Sequence, residues 1–190
     1  MRLIAPNPRG SVVYPPEFRH ATTHRMTIRD MARRHDWRML VEVGVRLAGT
    51  GAFLLAAKPD LHYLGVDPFI APEGSHAEPG YSHYGHPDME KWHRRALANL
   101  APYGGRARLW RTTSLHAAAQ TDRHSADCVF IDADHRTASV IADIDAWRDV
   151  VRRGGWMLGH DRDWPSVQEA VRSRFPAALA LRGNVWAVKL

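Results

Sequence analysis

A short apolar strand that breaks on a glycine, returns through an apolar helix and ends its next strand on an acid constrains this chain more than any other feature. Residues 41–69 read VEVGVRLAGTGAFLLAAKPDLHYLGVDPF. The apolar run Met39–Val43 stops at Gly44 and passes into a small-residue turn, Ala48-Gly49-Thr50-Gly51. A helix over Ala52–Ala57 is ended by Pro59-Asp60, and a second strand, His62–Val66, stops at Asp67. Strand, glycine turn, helix, strand and acid make one half of a doubly wound nucleotide-binding sheet. Glycines in such a turn let a ligand approach the backbone where a Cβ would collide. Asp67 lies 23 residues after Gly44, where a carboxylate can accept hydrogen bonds from both hydroxyls of a ribose. The dinucleotide spacing G-x-G-x-x-G is absent, which speaks against a dehydrogenase.

The rest of the chain continues the alternation. Thr27-x-x-Asp30 reads as a helix start, with Ile28–His35 a short amphipathic helix. Asp88–Leu100 reads as a helix, Gly104-Gly105 as a turn and Ala107–Trp110 as a third strand. Ser114–Gln120 is a small helix, and the unbroken apolar run Ala126–Ile131 suits a central parallel strand buried on both faces. Thr137–Val151 reads as a helix ended by Gly154-Gly155, followed by a fifth strand, Trp156–Gly159, and a helix over Ser166–Phe175. Two short strands, Ala177–Leu181 and Val185–Leu190, flank the hairpin signal Arg182-Gly183-Asn184. The expected fold is α/β, a Rossmann-like doubly wound sheet of seven mostly parallel strands with a C-terminal antiparallel hairpin, in one domain spanning 1–190. Two segments lack periodicity: an N-terminal arm over 1–26 and a loop over 68–87, the latter read as part of a substrate wall at the active site.

Glu42-Val43-Gly44, the turn through Gly49 and Thr50, and Asp67 resemble motif I and the following acid of class I S-adenosylmethionine-dependent methyltransferases. Ala48 stands where many members carry glycine. The resemblance covers about residues 40–190 and implies S-adenosylmethionine as cofactor, held by Glu42, Gly44, Gly49, Thr50, Asp67, Ser114 and Asp132.

Two strand ends carry the remaining polar clusters: Phe130-Ile131-Asp132-Ala133-Asp134-His135, and Leu158-Gly159-His160-Asp161. Neighbouring strands would bring these acids and histidines to one region beside the cofactor crevice. The two strand ends, with Gly154-Gly155 and the following Trp164-Pro165-Ser166, resemble the branch of metal-dependent O-methyltransferases that act on sugars of natural products and, more distantly, on catechols. That resemblance implies a divalent metal, Mg²⁺ or Mn²⁺, held by Asp132, Asp161 and a third ligand at His160, with His135 as general base. The third ligand of that branch is usually Glu, Asp or Asn. A histidine there suits Mn²⁺, Fe²⁺ or Zn²⁺ better than Mg²⁺. Completion of the shell by Asp134 or water, and a metal-free enzyme using His135 and His160, both remain open.

Composition narrows the rest. A chain of 190 residues, 45% hydrophobic, can bury a full core. No apolar run approaches the ~20 residues that span a bilayer, and the N-terminus lacks a secretory h-region. The single cysteine, Cys128, excludes an intrachain disulfide and favours a reducing cytoplasm. The net charge of +6 comes almost wholly from scattered arginines interrupted by acids, with no block of like charge. The expectation is a cytoplasmic enzyme of a small-molecule acceptor, with no membrane partner, with nucleic acid disfavoured and self-association left open. The alternatives are a nucleic-acid methyltransferase, against which the strand end Asp132–His135 lacks an N-P-P-Y tetrapeptide, and a non-catalytic S-adenosylmethionine-binding module.

Overall fold

The computed structural model of the chain describes residues 22–70 and 89–190. The arm over 1–21 and the loop from residue 71 onward, with its His76, His83 and His86, lie outside the described residues.

Seven strands form one sheet: β1 (Met39–Val43), β2 (His62–Val66), β3 (Ala107–Trp110), β4 (Ala126–Ile131), β5 (Val151–Gly159), β6 (Leu179–Leu181) and β7 (Val185–Lys189). Their order is β3-β2-β1-β4-β5-β7-β6. The first five run parallel, while β7 is antiparallel to both β5 and β6. The expected architecture is therefore present. The chain winds outward from β1 to β3 and then restarts at β4 on the other side of β1. That reversal opens a crevice at the carboxyl ends of β1 and β4, where ligands of open α/β sheets bind.

Period-two alternation divides the core between the sheet's faces. Val41, Val43, Val129, Ile131 and Met157 pack with Val140, Ile144, Trp147, Val167 and Val171 from α5 (Thr137–Trp147) and α6 (Pro165–Arg174). Leu40, Tyr63, Cys128, Phe130 and Leu158 point the other way. They meet Ile28 and Ala32 of α1 (Thr22–Arg34), Phe53, Leu54 and Leu55 of α2 (Gly49–Ala57), and Ala96 and Leu100 of α3 (Met89–Leu100). The short α4 (Ser114–Gln120) follows β3. No helix among the described residues is long and apolar enough to cross a membrane.

The boundaries of α1, α2, α5 and β5 differ by three residues or more from those read in the sequence, each for a physical reason. Helix α1 begins at Thr22 rather than near Thr27. Thr27 does not cap it; its hydroxyl donates to the Arg182 carbonyl oxygen at 3.0 Å. Helix α2 begins at Gly49, because Ala48 takes the left-handed conformation (φ 56°) and closes the turn one residue earlier. Helix α5 ends at Trp147, and Gly154-Gly155 lie inside β5 instead of terminating a helix. Val151 pairs with Ala126 and Trp156 with Cys128, so β5 bulges between them. Gly154 (φ 74°) supplies the left-handed turn, and a Cβ on Gly155 would lie 2.8 Å from the Arg152 carbonyl oxygen.

Asp127 sits within that bulge and fixes the start of β1. Its Oδ2 accepts the N–H groups of Arg38 and Met39 at 2.6 and 2.9 Å, and its Oδ1 accepts Arg152 Nε at 2.5 Å. Burial alone would raise its pKa, but these donors outweigh it and hold the carboxyl below its ordinary value. Hydrogen bonds to charged groups contribute roughly 1.5–3 kcal/mol each, so Asp127→Ala should cost about 3 kcal/mol or more at neutral pH. A folded pKa depressed below the unfolded value of about 3.9 means this stabilisation is complete above that value and lost as pH falls through the folded one. Urea titrations at pH 7 and pH 3 check this; an equal gap between wild type and variant at both values would contradict it.

Candidate active site

The turn after β1 is built around one carboxylate. Gly44, Arg46 and Ala48 all have positive φ, at 87°, 52° and 56°. This conformation turns the N–H groups of Val45 and Arg46 together onto Asp67 Oδ2, each at 2.9 Å. Asp67 Oδ1 accepts the Phe69 N–H at 2.7 Å. A carboxylate offers about four acceptor positions, so Asp67 keeps one for a ligand on Oδ1.

Gly44 and Gly51 each stand where protein approaches too closely for a Cβ. A Cβ on Gly44 would lie 2.1 Å from the Asp132 carbonyl oxygen, because the end of β4 crosses directly over it. A Cβ on Gly51 would lie 2.4 Å from the Tyr63 ring. That ring carries its hydroxyl to Glu42, donating to Oε2 at 2.5 Å. Glu42 is buried on the α1 and α2 side of β1, and burial pushes its pKa up to about 8 against the pull of the Tyr63 hydrogen bond. Thr50, also buried, lies in the first turn of α2.

Ser114 faces α5. Its hydroxyl donates to Asp143 Oδ1 at 2.5 Å and accepts Trp147 Nε1–H at 2.9 Å, which commits its only donor. Burial pushes the Asp143 pKa up to about 6.

Backbone pairing assembles the charged cluster. The Asp132 N–H donates to the Val43 carbonyl at 2.8 Å, and the His160 N–H to the Ile131 carbonyl at 3.0 Å. The ends of β1, β4 and β5 therefore lie side by side. Asp161 takes a left-handed φ of 49°, a conformation that Asp tolerates better than most residues. It faces two histidines, with Oδ2 2.6 Å from His135 Nε2 and Oδ1 3.2 Å from His160 Nδ1. His160 Nδ1 is also 3.6 Å from Asp132 Oδ1. Burial lowers the affinity of both histidines for a proton, but the carboxylates more than reverse it. His135 is raised by its bond to Asp161, and His160 is raised to about 10 by Asp132 and Asp161. The two histidines in turn hold Asp161 well below the carboxylate range despite its burial. Asp161, rather than the start of α5, dominates the charge environment of His135. Trp164 packs its ring 4.5 Å from that of His135.

Asp134 is committed elsewhere, since its carboxylate accepts the Arg136 N–H at 2.9 Å and Nε at 2.7 Å and the Ser139 hydroxyl at 2.9 Å. It braces the entry to α5. A cavity of about 10 Å³, close to the volume that admits one water, lies among Asp132, Asp134, His135, His160 and Trp186. Ligand atoms of Asp132, His135 and Asp161 all lie within 4.8 Å of one another, so the donor set close enough for a metal contains His135 where the sequence pointed to His160.

His24 went unnoticed in the sequence. Its Nε2 is 3.5 Å from Thr50 Oγ1, and its ring centroid is 4.6 Å from that of His160. Extending the apolar period of α1 back one turn from Ala32 and Ile28 reaches it.

A glycine turn, a strand-end acid and a polar crevice at the switch point of a 3-2-1-4-5-7-6 sheet define a class I S-adenosylmethionine-dependent methyltransferase. Residues 41–162 match the family model of a methyltransferase domain, more than half of the chain, and the chain belongs to that family. Solved structures share the fold. An O-methyltransferase from Bacillus cereus in complex with SAH is 16% identical with a TM-score of 0.60, over 94% of this chain and 83% of that one. The SAH-bound methyltransferase PaMTH1 from Podospora anserina is 11% identical with a TM-score of 0.65, over 87% and 77%. A Staphylococcus aureus protein assigned as a caffeoyl-CoA O-methyltransferase is 13% identical with a TM-score of 0.64, over 95% and 86%. No curated protein matches the chain in sequence.

The raised pKa of Glu42 has a measurable consequence. Its folded value of about 8 lies above the ordinary 4.5, so the folded state holds a proton that the unfolded chain releases. That contribution is complete below the unfolded value and is lost as pH rises through about 8. Glu42→Gln, which cannot ionise, should melt above wild type at pH 8–9 and gain nothing at pH 5. Melting curves that stay parallel across this range would place the proton elsewhere.

Proposed function

We propose that this methyltransferase moves a methyl group from S-adenosylmethionine to a hydroxyl of a small acceptor, a phenolic compound or a sugar of natural-product metabolism, with His135 receiving the hydroxyl proton. The observation that carries the reading is the 2.6 Å bond between His135 Nε2 and Asp161 Oδ2 beside the crevice. When bound, S-adenosylmethionine supplies a methyl on a sulfonium, open to in-line displacement by an oxygen nucleophile. The crevice at the switch point fits it in that Asp67 Oδ1, which accepts only the Phe69 N–H among the described residues, keeps one acceptor position for a ribose hydroxyl. Glu42 and Thr50 support the turn from below. Asp161 fixes the His135 ring by accepting Nε2–H, leaving Nδ1 as the basic atom. The hydroxyl proton passes to that nitrogen as the oxygen is methylated, and Asp161 stabilises the resulting imidazolium.

A second reading is favoured by the 4.8 Å grouping of Asp132, His135 and Asp161 donor atoms. Ligand bonds of about 2.0–2.6 Å can span that separation. Two carboxylates and one imidazole suit Mn²⁺, Fe²⁺ or Zn²⁺ better than Mg²⁺. When bound there, such a cation would lower the pKa of an acceptor hydroxyl. His160, between Asp132 and Asp161, offers the positive charge that a cation would otherwise supply.

His135→Ala should lower kcat by about 10²–10⁴-fold with SAH affinity held. The wild-type rate should fall as pH drops through the raised pKa of His135, and the variant should lose that limb. Excess chelator separates the readings: retained turnover supports the histidine base alone, whereas loss restored by Mn²⁺ supports the cation. Asp67→Ala should weaken SAH at least about tenfold, as expected for a lost charge-assisted hydrogen bond. It should also lower the melting temperature, because two N–H groups of the turn lose their acceptor. Unchanged affinity by calorimetry would remove Asp67 from the site.

A further inference from the structure

One buried titratable side chain beside the crevice has no part in the reading above. His24 stands in the first turns of α1 and is only 8% exposed. Its place is fixed by the anchoring of the helix. Ile28 and Ala32, one and two turns further on, are buried in the core, and Thr27 holds the Arg182 carbonyl at 3.0 Å. Arg33 Nη2 donates to the Ala57 carbonyl at 2.9 Å, at the far end of α2. The His24 ring lies nearly parallel to Phe130, 6.3 Å away and inclined by 10°, so its floor is the sheet itself. Its edge faces Thr50 on one side, and its ring meets His160 on the other.

We propose that His24 is a positioning residue of the transfer site: carried in by α1, it holds the His160 ring against Asp132 and Asp161 and closes the gap between that cluster and Thr50 of the donor turn. The inference rests on the methyl-transfer reading and adds to it a group from outside both strand-end motifs. Packing alone does not account for an imidazole here. A phenyl ring would stack on Phe130 equally well without burying two polar nitrogens, which cost free energy wherever they lack partners. Burial lowers the His24 pKa to about 4, and the neighbouring charge of His160 acts in the same direction. The His24 ring walls one side of His160, with the ring centroids 4.6 Å apart and the planes tilted by 55°. Without it, His160 would keep its bonds to the carboxylates but lose the wall that fixes its plane.

Two substitutions test this. His24→Phe keeps the ring and loses both nitrogens, while His24→Gln keeps a polar group able to reach Thr50. With an accepted hydroxyl substrate, His24→Phe should lower kcat at least about tenfold while the KM for S-adenosylmethionine stays within about threefold. Its melting temperature should hold within about 4 °C, a shift worth roughly 1–2 kcal/mol for a chain of this size. The His160 ring resonances should move, and His24→Gln should recover part of kcat. A His24→Phe variant with wild-type kcat and unmoved His160 resonances would overturn the proposal. So would losses of kcat that merely follow losses of melting temperature in both variants. Wild-type protein that neither binds SAH nor turns over would overturn the proposed function instead. The His160 resonances, read without ligand, would still decide the role of His24.

Discussion

Everything at the carboxyl edge of the sheet depends on one crossing, where the end of β4 passes over Gly44. The Asp132 N–H reaches back to the Val43 carbonyl, and the Gly44 N–H reaches across to the Val66 carbonyl. Three strand ends are thereby tied within one residue of each other. The approach is so close that any Cβ at Gly44 would overlap the Asp132 backbone. From this crossing the turn can fold only upward onto Asp67, and Asp132 can emerge only beside the crevice. The strained residues follow from it too. Arg46 and Ala48 accept left-handed backbone, at about 1–2 kcal/mol each for ordinary residues; against this, the Asp67 carboxylate collects the Val45 and Arg46 N–H groups and the Ala48 N–H closes onto the Val45 carbonyl.

The fold was largely legible because its signals are local. The run Ala126–Ile131 and the acid-tipped strand at Val66-Asp67 each state their role within a few residues. Arg182-Gly183-Asn184 states a turn, and Gly183 and Asn184 both take positive φ. Where the reading failed, the deciding contacts were distant. Gly154-Gly155 look like a helix stop until Asp127 and Leu190 are in place. The Gly154 N–H then donates to the Leu190 carbonyl, and the pair becomes the bend of a strand. Thr27 looks like a cap until the β6–β7 turn arrives to take its hydroxyl.

The site was legible to a lesser degree, for the same reason. Strand-end acids announce themselves, and Asp132 and Asp161 do meet. Which histidine faces which oxygen depends on the left-handed backbone at Asp161, and no local pattern encodes that. Ser114 shows the limit most clearly. Its place after β3 suits a cofactor contact, yet Asp143 and Trp147, about thirty residues on, claim its hydroxyl. His24 comes from a helix that the sequence shows only in part, and its function lies wholly in tertiary contact.

The histidine at position 160 changes the electrostatic logic of the cluster. A third acid beside Asp132 and Asp161 would leave three like charges converging, and such a group coheres only around an external cation. With His160 between them, the two carboxylates have an internal counter-charge at 3.2 and 3.6 Å. The cluster then holds its shape from its own residues, and His135 can remain bonded to Asp161. A cation entering among Asp132, His135 and Asp161 would have to compete with that counter-charge and displace the His135–Asp161 bond. Its binding would be weaker at low pH, where both histidines hold their protons most firmly. The imidazole at position 160 thus gives Asp132 and Asp161 a counter-charge from within the chain, and any cation would have to compete with it.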